Sequence, residues 1–121
     1  MSTILHRADR DPYVTKDGST VLELVHPSFS EAAGQSVAEA VVPAGGETVE
    51  HYHRRSEEIY CFSSGSGRMR LGDRRLEVSA GDSVVIAPGV PHKLWAGEAE
   101  ELVVLCCSAP AYSHDDTVLT E

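Results

Sequence analysis

The chain is poor in positive charge and has no long apolar run. Ten lysines and arginines stand against nineteen aspartates and glutamates, a formal charge of −9 at neutral pH. That balance disfavours nucleic-acid phosphates and anionic membranes as partners. The longest apolar stretch, Leu102 to Cys107, is far short of the roughly 20 residues that a membrane-spanning helix needs. The opening Met1-Ser2-Thr3-Ile4-Leu5-His6-Arg7 lacks the apolar core of a signal peptide. There are only three cysteines, and two are adjacent (Cys106, Cys107), so they form no disulfide framework. These deficits lead to the expectation of a cytoplasmic protein with neither a nucleic-acid nor a membrane partner. Repeats, linkers, low-complexity segments and sustained helical periodicity are also missing.

What remains is a chain of 121 residues, enough for one compact domain, with 41% hydrophobic residues. Its apolar residues fall in short β-rich runs: 21–25, 36–42, 57–62, 68–71, 74–78, 83–86, 92–95 and 102–107. The alanines of 36–42 weaken that run as a strand. Turn signals separate the runs at Ser63-Ser64-Gly65-Ser66-Gly67, Gly72-Asp73, Ala80-Gly81-Asp82 and Pro88-Gly89. Many short strands at regular spacing indicate an all-β barrel or sandwich. Residues 1–20 read as a polar arm with a turn at Lys16-Asp17-Gly18, exposed to solvent, and 27–34 as a loop or short helical turn.

Chemistry concentrates at His51, His53, Glu58 and His92. Alternate residues of a strand share a face, so His51 and His53 can meet one ion while Tyr52 points away. The polar turn Arg54-Arg55-Ser56 would return the chain beside itself and bring Glu58 to the same cavity. His92 has to arrive by long-range closure. Three imidazoles and a carboxylate suit one divalent ion, zinc, iron, manganese, nickel or copper, with coordination positions left open as in a catalytic site. Glu57 competes with Glu58, but only one of two adjacent strand residues faces inward.

The two segments resemble the paired motifs of the cupin superfamily. Gly45, His51, His53, Glu58 and Gly65 fill every position of the first motif, and Gly81, Gly89 and His92 match the second. Ala87 stands where proline is usual and Ala96 where asparagine is usual, and neither is a ligand. The resemblance covers roughly residues 36–108 and implies a single-domain double-stranded β-helix, or jelly-roll barrel, around a central metal. Residues 1–35 would then be an arm and strand packed on the barrel, 36–108 its core, and 109–121 a following segment. Cupins often dimerise sheet against sheet, so the resemblance also implies a possible homodimer.

Strand alternation then assigns faces. With Glu58 inward, Tyr60 and Phe62 follow it, and Ile59 and Cys61 face out. With His92 inward, Leu94 and Ala96 follow, and Lys93 and Trp95 face out. Tyr60 and Glu58 are the candidate catalytic groups, Tyr60 as a positioning or proton-donating hydroxyl, Glu58 as a ligand that can move a proton. One of Cys106 and Cys107 must face the cavity, as a small hydrophobe rather than a nucleophile. Arg68 and Arg70 share a face, expected to be a solvated exterior. Lys16 and His26 belong to the exposed arm, and His6, His114 and the polar run Tyr112 to Asp116 carry no assigned chemistry.

Three functions fit. One is an enzyme that uses its metal as a Lewis acid on a small polar metabolite, in an isomerisation, cyclisation, elimination or biosynthetic tailoring step. Another is an iron- or manganese-dependent dioxygenase, which would need air. The third is a non-catalytic small-molecule binder, which would return its ligand unchanged.

Overall fold

The computed structural model describes residues 2–121, and among them there is no α-helix, only a 3₁₀ turn at Arg7–Asp9. Eleven strands carry the fold: β1 (Tyr13–Val14), β2 (Thr20–Val25), β3 (Ser36–Val42), β4 (His51–His53), β5 (Glu57–Ser64), β6 (Ser66–Leu71), β7 (Arg74–Ser79), β8 (Ser83–Ile86), β9 (His92–Ala96), β10 (Leu102–Ala109) and β11 (Thr117–Leu119). They form a six-stranded sheet, β1-β2-β3-β10-β5-β8, and a five-stranded sheet, β11-β4-β9-β6-β7. The named strands pair antiparallel throughout. Two antiparallel sheets face to face are the jelly roll anticipated from the sequence. No helix among the described residues is long and apolar enough to cross a membrane.

Alternation explains which residues meet between the sheets. Along β3, Ser36, Ala38, Ala40 and Val42 are buried while Val37, Glu39 and Val41 are half-exposed. Neighbouring strands keep that register, so inward residues line up in rows across the sheet. One row runs Val21, Ala40, Val104, Phe62; the next runs Glu23, Ala38, Cys106, Tyr60; a third runs Ser36, Ser108, Glu58, Ile86. The first row joins Val42, Leu102, Met69 and Leu94 in the apolar core. The second row, and the third as far as Glu58, floor a cavity, while Ile86 belongs to the apolar core. The alanines that weaken β3 as a sequence signal are what leave this cavity room.

Most face assignments agree with the structure. Glu58, Tyr60, Phe62, His92, Leu94 and Ala96 are all buried, and Ile59 is exposed. Lys93 departs from expectation: it leaves the inner face but is covered, because its ammonium pairs with Glu121 and, at 3.3 Å, with Glu47. Trp95 is likewise only half-exposed, flanked by Arg70 and Lys93. Arg70 is not simply solvated, since its Nε donates to Glu50 at 2.8 Å.

The turn between β4 and β5 also corrects the sequence reading. It does not fold the chain back beside itself, because β4 and β5 lie in different sheets. The reason is a competing set of hydrogen bonds: the Asp116 carboxylate accepts the N–H groups of Arg55 at 2.9 Å and Ser56 at 3.1 Å, and Asp116 O accepts from Arg54 N. The turn is tied to the segment before β11 and crosses from one sheet to the other. A second crossing constraint sits at Gly65, between β5 and β6, with φ +84°. A Cβ there would lie 2.2 Å from Glu101 O, so only glycine fits.

Candidate metal centre

Each of the four candidate ligands is placed by a strand. His51 and His53 project from the same face of β4, and His92, on β9, is the direct cross-strand partner of His51. The ring centroids of His51 and His92 are 4.3 Å apart. Glu58 comes across the gap from β5 in the opposite sheet. All four side chains are buried, and one ligating atom from each lies within 4.8 Å of all the others.

The hydrogen bonds behind the rings decide which nitrogen faces the cluster. His51 Nδ1 lies 2.9 Å from Val49 O, and His92 Nδ1 lies 3.0 Å from Val90 O. A carbonyl only accepts, so both Nδ1 atoms carry the proton. His53 Nδ1 lies 3.0 Å from Thr117 Oγ1, whose own proton goes to Ser113 O at 2.9 Å. Thr117 therefore accepts from His53 as well. In the neutral rings all three Nε2 atoms are left with a lone pair directed inward.

The fourth group is an oxygen. Glu58 Oε2 accepts from Ser108 Oγ at 3.1 Å, which leaves Oε1 facing the imidazoles. Oε1 is 2.7 Å from His53 Nε2 and 3.3 Å from His92 Nε2. Despite that proximity none of these three atoms makes a hydrogen bond of acceptable geometry, and all are shut away from water. Burial pushes the Glu58 carboxyl up, but positive charge beside it, such as a proton on His53 or His92, outweighs burial and holds it well below the usual carboxylate range. Burial, helped by His92, pushes the His51 imidazole down and keeps it neutral. Lone pairs and a carboxylate crowded together repel unless a cation lies between them. Three nitrogens and one oxygen at this spacing fit a single divalent ion.

The cluster opens onto a cavity between the two sheets. Tyr60 lines it, its ring edge-on to His92 at 5.6 Å between centroids. Burial first, then the Glu58 charge, push the Tyr60 phenol well above its ordinary value, so its hydroxyl stays protonated. Cys106 faces the cavity and Cys107 does not. Burial and Glu58 push the Cys106 thiol well up, which fits an inert small hydrophobe.

Several groups at this site escape the sequence reading. The supposed exposed arm enters the cavity: Asp17 Oδ2 lies 3.8 Å from His51 Nε2, with Oδ1 held by Thr15 Oγ1, Ser19 N and Ser19 Oγ. Lys16 does not wave in solvent but donates to His114 O and Thr117 O. His26 is tied to Tyr112 O at 2.9 Å. Tyr112 stacks edge-on against His53 at 5.9 Å between centroids. Thr117 and Asp116, from a segment with no assigned chemistry, set the His53 tautomer and the turn before Glu58. Glu57, by contrast, is exposed, as alternation requires.

The family model for the cupin domain matches residues 38–108, and the chain belongs to that family. The uncharacterized protein MJ1618 of Methanocaldococcus jannaschii is 47% identical over 110 residues, 91% of this chain and 88% of that protein. The polyketide cyclase RemF of Streptomyces resistomycificus superposes with a TM-score of 0.77 at 25% identity, over 90% of this chain and 80% of the other. The Streptomyces nucleoside dehydratase Pac13 gives a TM-score of 0.82 at 16% identity, over 100% of this chain and 92% of that one. At that identity the likeness to Pac13 is one of fold.

Proposed function

We propose that this cupin is a metal-dependent enzyme acting on a small polar metabolite inside the barrel, with one divalent ion held by His51, His53, Glu58 and His92. The observation that carries the reading is the convergence of three Nε2 atoms and Glu58 Oε1 in one buried cluster. When bound, the ion supplies Lewis-acid stabilisation of negative charge developing on a substrate oxygen. The surrounding residues supply the rest. Val49 O, Val90 O and Thr117 Oγ1 hold the three rings in register, and Ser108 holds the free arm of Glu58. The Tyr60 hydroxyl stands in the same cavity as a proton donor to the reacting oxygen. The apolar sheet rows behind it exclude bulk water. The likeness to a polyketide cyclase supports an isomerisation, cyclisation or elimination over oxygen chemistry.

The test is metal analysis of the purified protein, followed by zinc titration. We expect roughly one ion per chain, with occupancy cut sharply in His51→Ala, His53→Ala and His92→Ala while the β-sheet circular dichroism is retained. Full occupancy in all three variants would sink the ligand assignment. Once a substrate is in hand, equal turnover under air and nitrogen would separate Lewis-acid chemistry from a dioxygenase.

A further inference from the structure

Glu23 has no task in the chemistry above. It sits on the inner face of β2 with only 9% of its surface exposed. Oε1 accepts the Tyr13 hydroxyl at 2.7 Å. Oε2 has no hydrogen-bond partner and is shut off from water, although the residue lines the same cavity as the ligand cluster. A buried carboxylate oxygen left in this state is costly, so its position calls for a donor. The hydroxyls of the walls leave it unmet, and no lysine or arginine lines the cavity to neutralise it. Arg10 gives its Nε to the Glu23 backbone carbonyl instead, and its guanidinium lies 3.4 Å over the Phe29 ring.

The row across the sheet shows what lies between Glu23 and the ligand cluster. Glu23 is beside Ala38, Ala38 beside Cys106, and Cys106 beside Tyr60. The two middle positions carry a methyl and a thiol, so they form a shallow apolar trench. Val21, Ala40 and Val104 flank it in the next row. One end of the trench is the Tyr60 and Glu58 corner. The other end is an acceptor. Asp17 and Glu58 add two further carboxylates to the same cavity.

We propose that Glu23 is a specificity-determining residue, forming a second subsite three strands from Tyr60 that takes a hydrogen-bond donor, a hydroxyl or an ammonium, on the distal part of the substrate. The substrate class follows: an oxygen chelate at one end, an apolar middle and a neutral or cationic donor at the other. A distal carboxylate or phosphate is rejected, since it would meet an acceptor, two further acids and no cation. This inference rests on the metal-site reading for the near end alone.

The experiment uses zinc-loaded protein and hydroxamates with chains of four to eight methylenes. Their shared head chelates the metal, and their far ends are ammonium, hydroxyl, methyl or carboxylate. Calorimetry should show ammonium and hydroxyl probes binding about tenfold tighter than the methyl probe of equal length, with carboxylate weakest. Glu23→Gln turns the acceptor into a donor. It should remove the ammonium preference, strengthen the carboxylate probe and leave zinc binding unchanged. Equal affinities for all four ends, or the same ranking in Glu23→Gln, would overturn the assignment. If zinc fails to bind, the metal reading falls and a second arm decides the subsite. There, hexylammonium and hexanoate, which have no chelating head, are titrated against the backbone amide resonances of Ala38 and Cys106. Shifts with the ammonium alone, lost in Glu23→Gln, uphold the subsite; shifts with both or with neither end it.

Discussion

Replacing Thr117 by valine preserves the side chain's shape and removes the one oxygen behind His53. In the native protein that oxygen accepts from His53 Nδ1 at 3.0 Å and donates to Ser113 O at 2.9 Å. The variant leaves a buried ring N–H unmet, while Ser113 O keeps the Asp116 N–H at 3.2 Å. An unmet buried donor costs about 1–3 kcal/mol. Changing the group behind a ligating histidine lowers metal affinity about 10- to 100-fold, which is about 1.4–2.8 kcal/mol. The two figures agree, as they should if the cost falls on the ring's orientation. Zinc affinity, measured by competition against a chromophoric chelator, should therefore weaken by about 10- to 100-fold in Thr117→Val. Thr117→Ser should restore it. Thermal unfolding with and without zinc separates this role from general loosening, which would lower both melting temperatures equally. Zinc affinity within about twofold of native, against the expected 10-fold or more, would refute the tautomer argument.

Three further outcomes are expected. Asp116→Ala releases the Arg55 and Ser56 amides that steer the chain toward Glu58; it should weaken zinc binding and cost about 1–2 kcal/mol in urea unfolding. Gly65→Ala puts a methyl 2.2 Å from Glu101 O at φ +84°, and should cost more than the 1–3 kcal/mol typical of backbone strain alone, read as lost soluble expression or a sharply lower denaturant midpoint. Leu102→Ala empties a position with 0% exposure between the sheets; it should cost about 2–5 kcal/mol in the same assay and leave the zinc stoichiometry unchanged.

Much of the architecture is legible in the chain because strand alternation is local. The inward set of β5 (Glu58, Tyr60, Phe62) and of β9 (His92, Leu94, Ala96) can be read from the ligands outward by counting in twos, and burial agrees. Elements without an apolar signal are the ones that escape. β11 is three residues long, Thr117–Leu119, and follows a polar run; its importance comes from pairing with β4, a contact far away in sequence. The 15–19 segment looks like a solvated arm because it is polar. Here the polarity reports a polar cavity, into which Asp17 turns. Glu23 sits in the apolar run of β2, where charge alone does not say whether it faces water or a ligand.

The candidate ligand residues are legible in composition and spacing: three imidazoles and a carboxylate on strands, with period two dictating that His51 and His53 share a face. Their convergence was not. His51, His53 and His92 belong to one sheet and Glu58 to the other, so the set exists only once the two sheets close on each other. Tertiary contacts also choose the reactive nitrogen, since Val49 O, Val90 O and Thr117 Oγ1 hold the protons on Nδ1 and leave each Nε2 free. Alternation is a property of a single strand. Which faces meet, and which lone pairs they expose to one another, depends on contacts between strands that the chain encodes only through its closure.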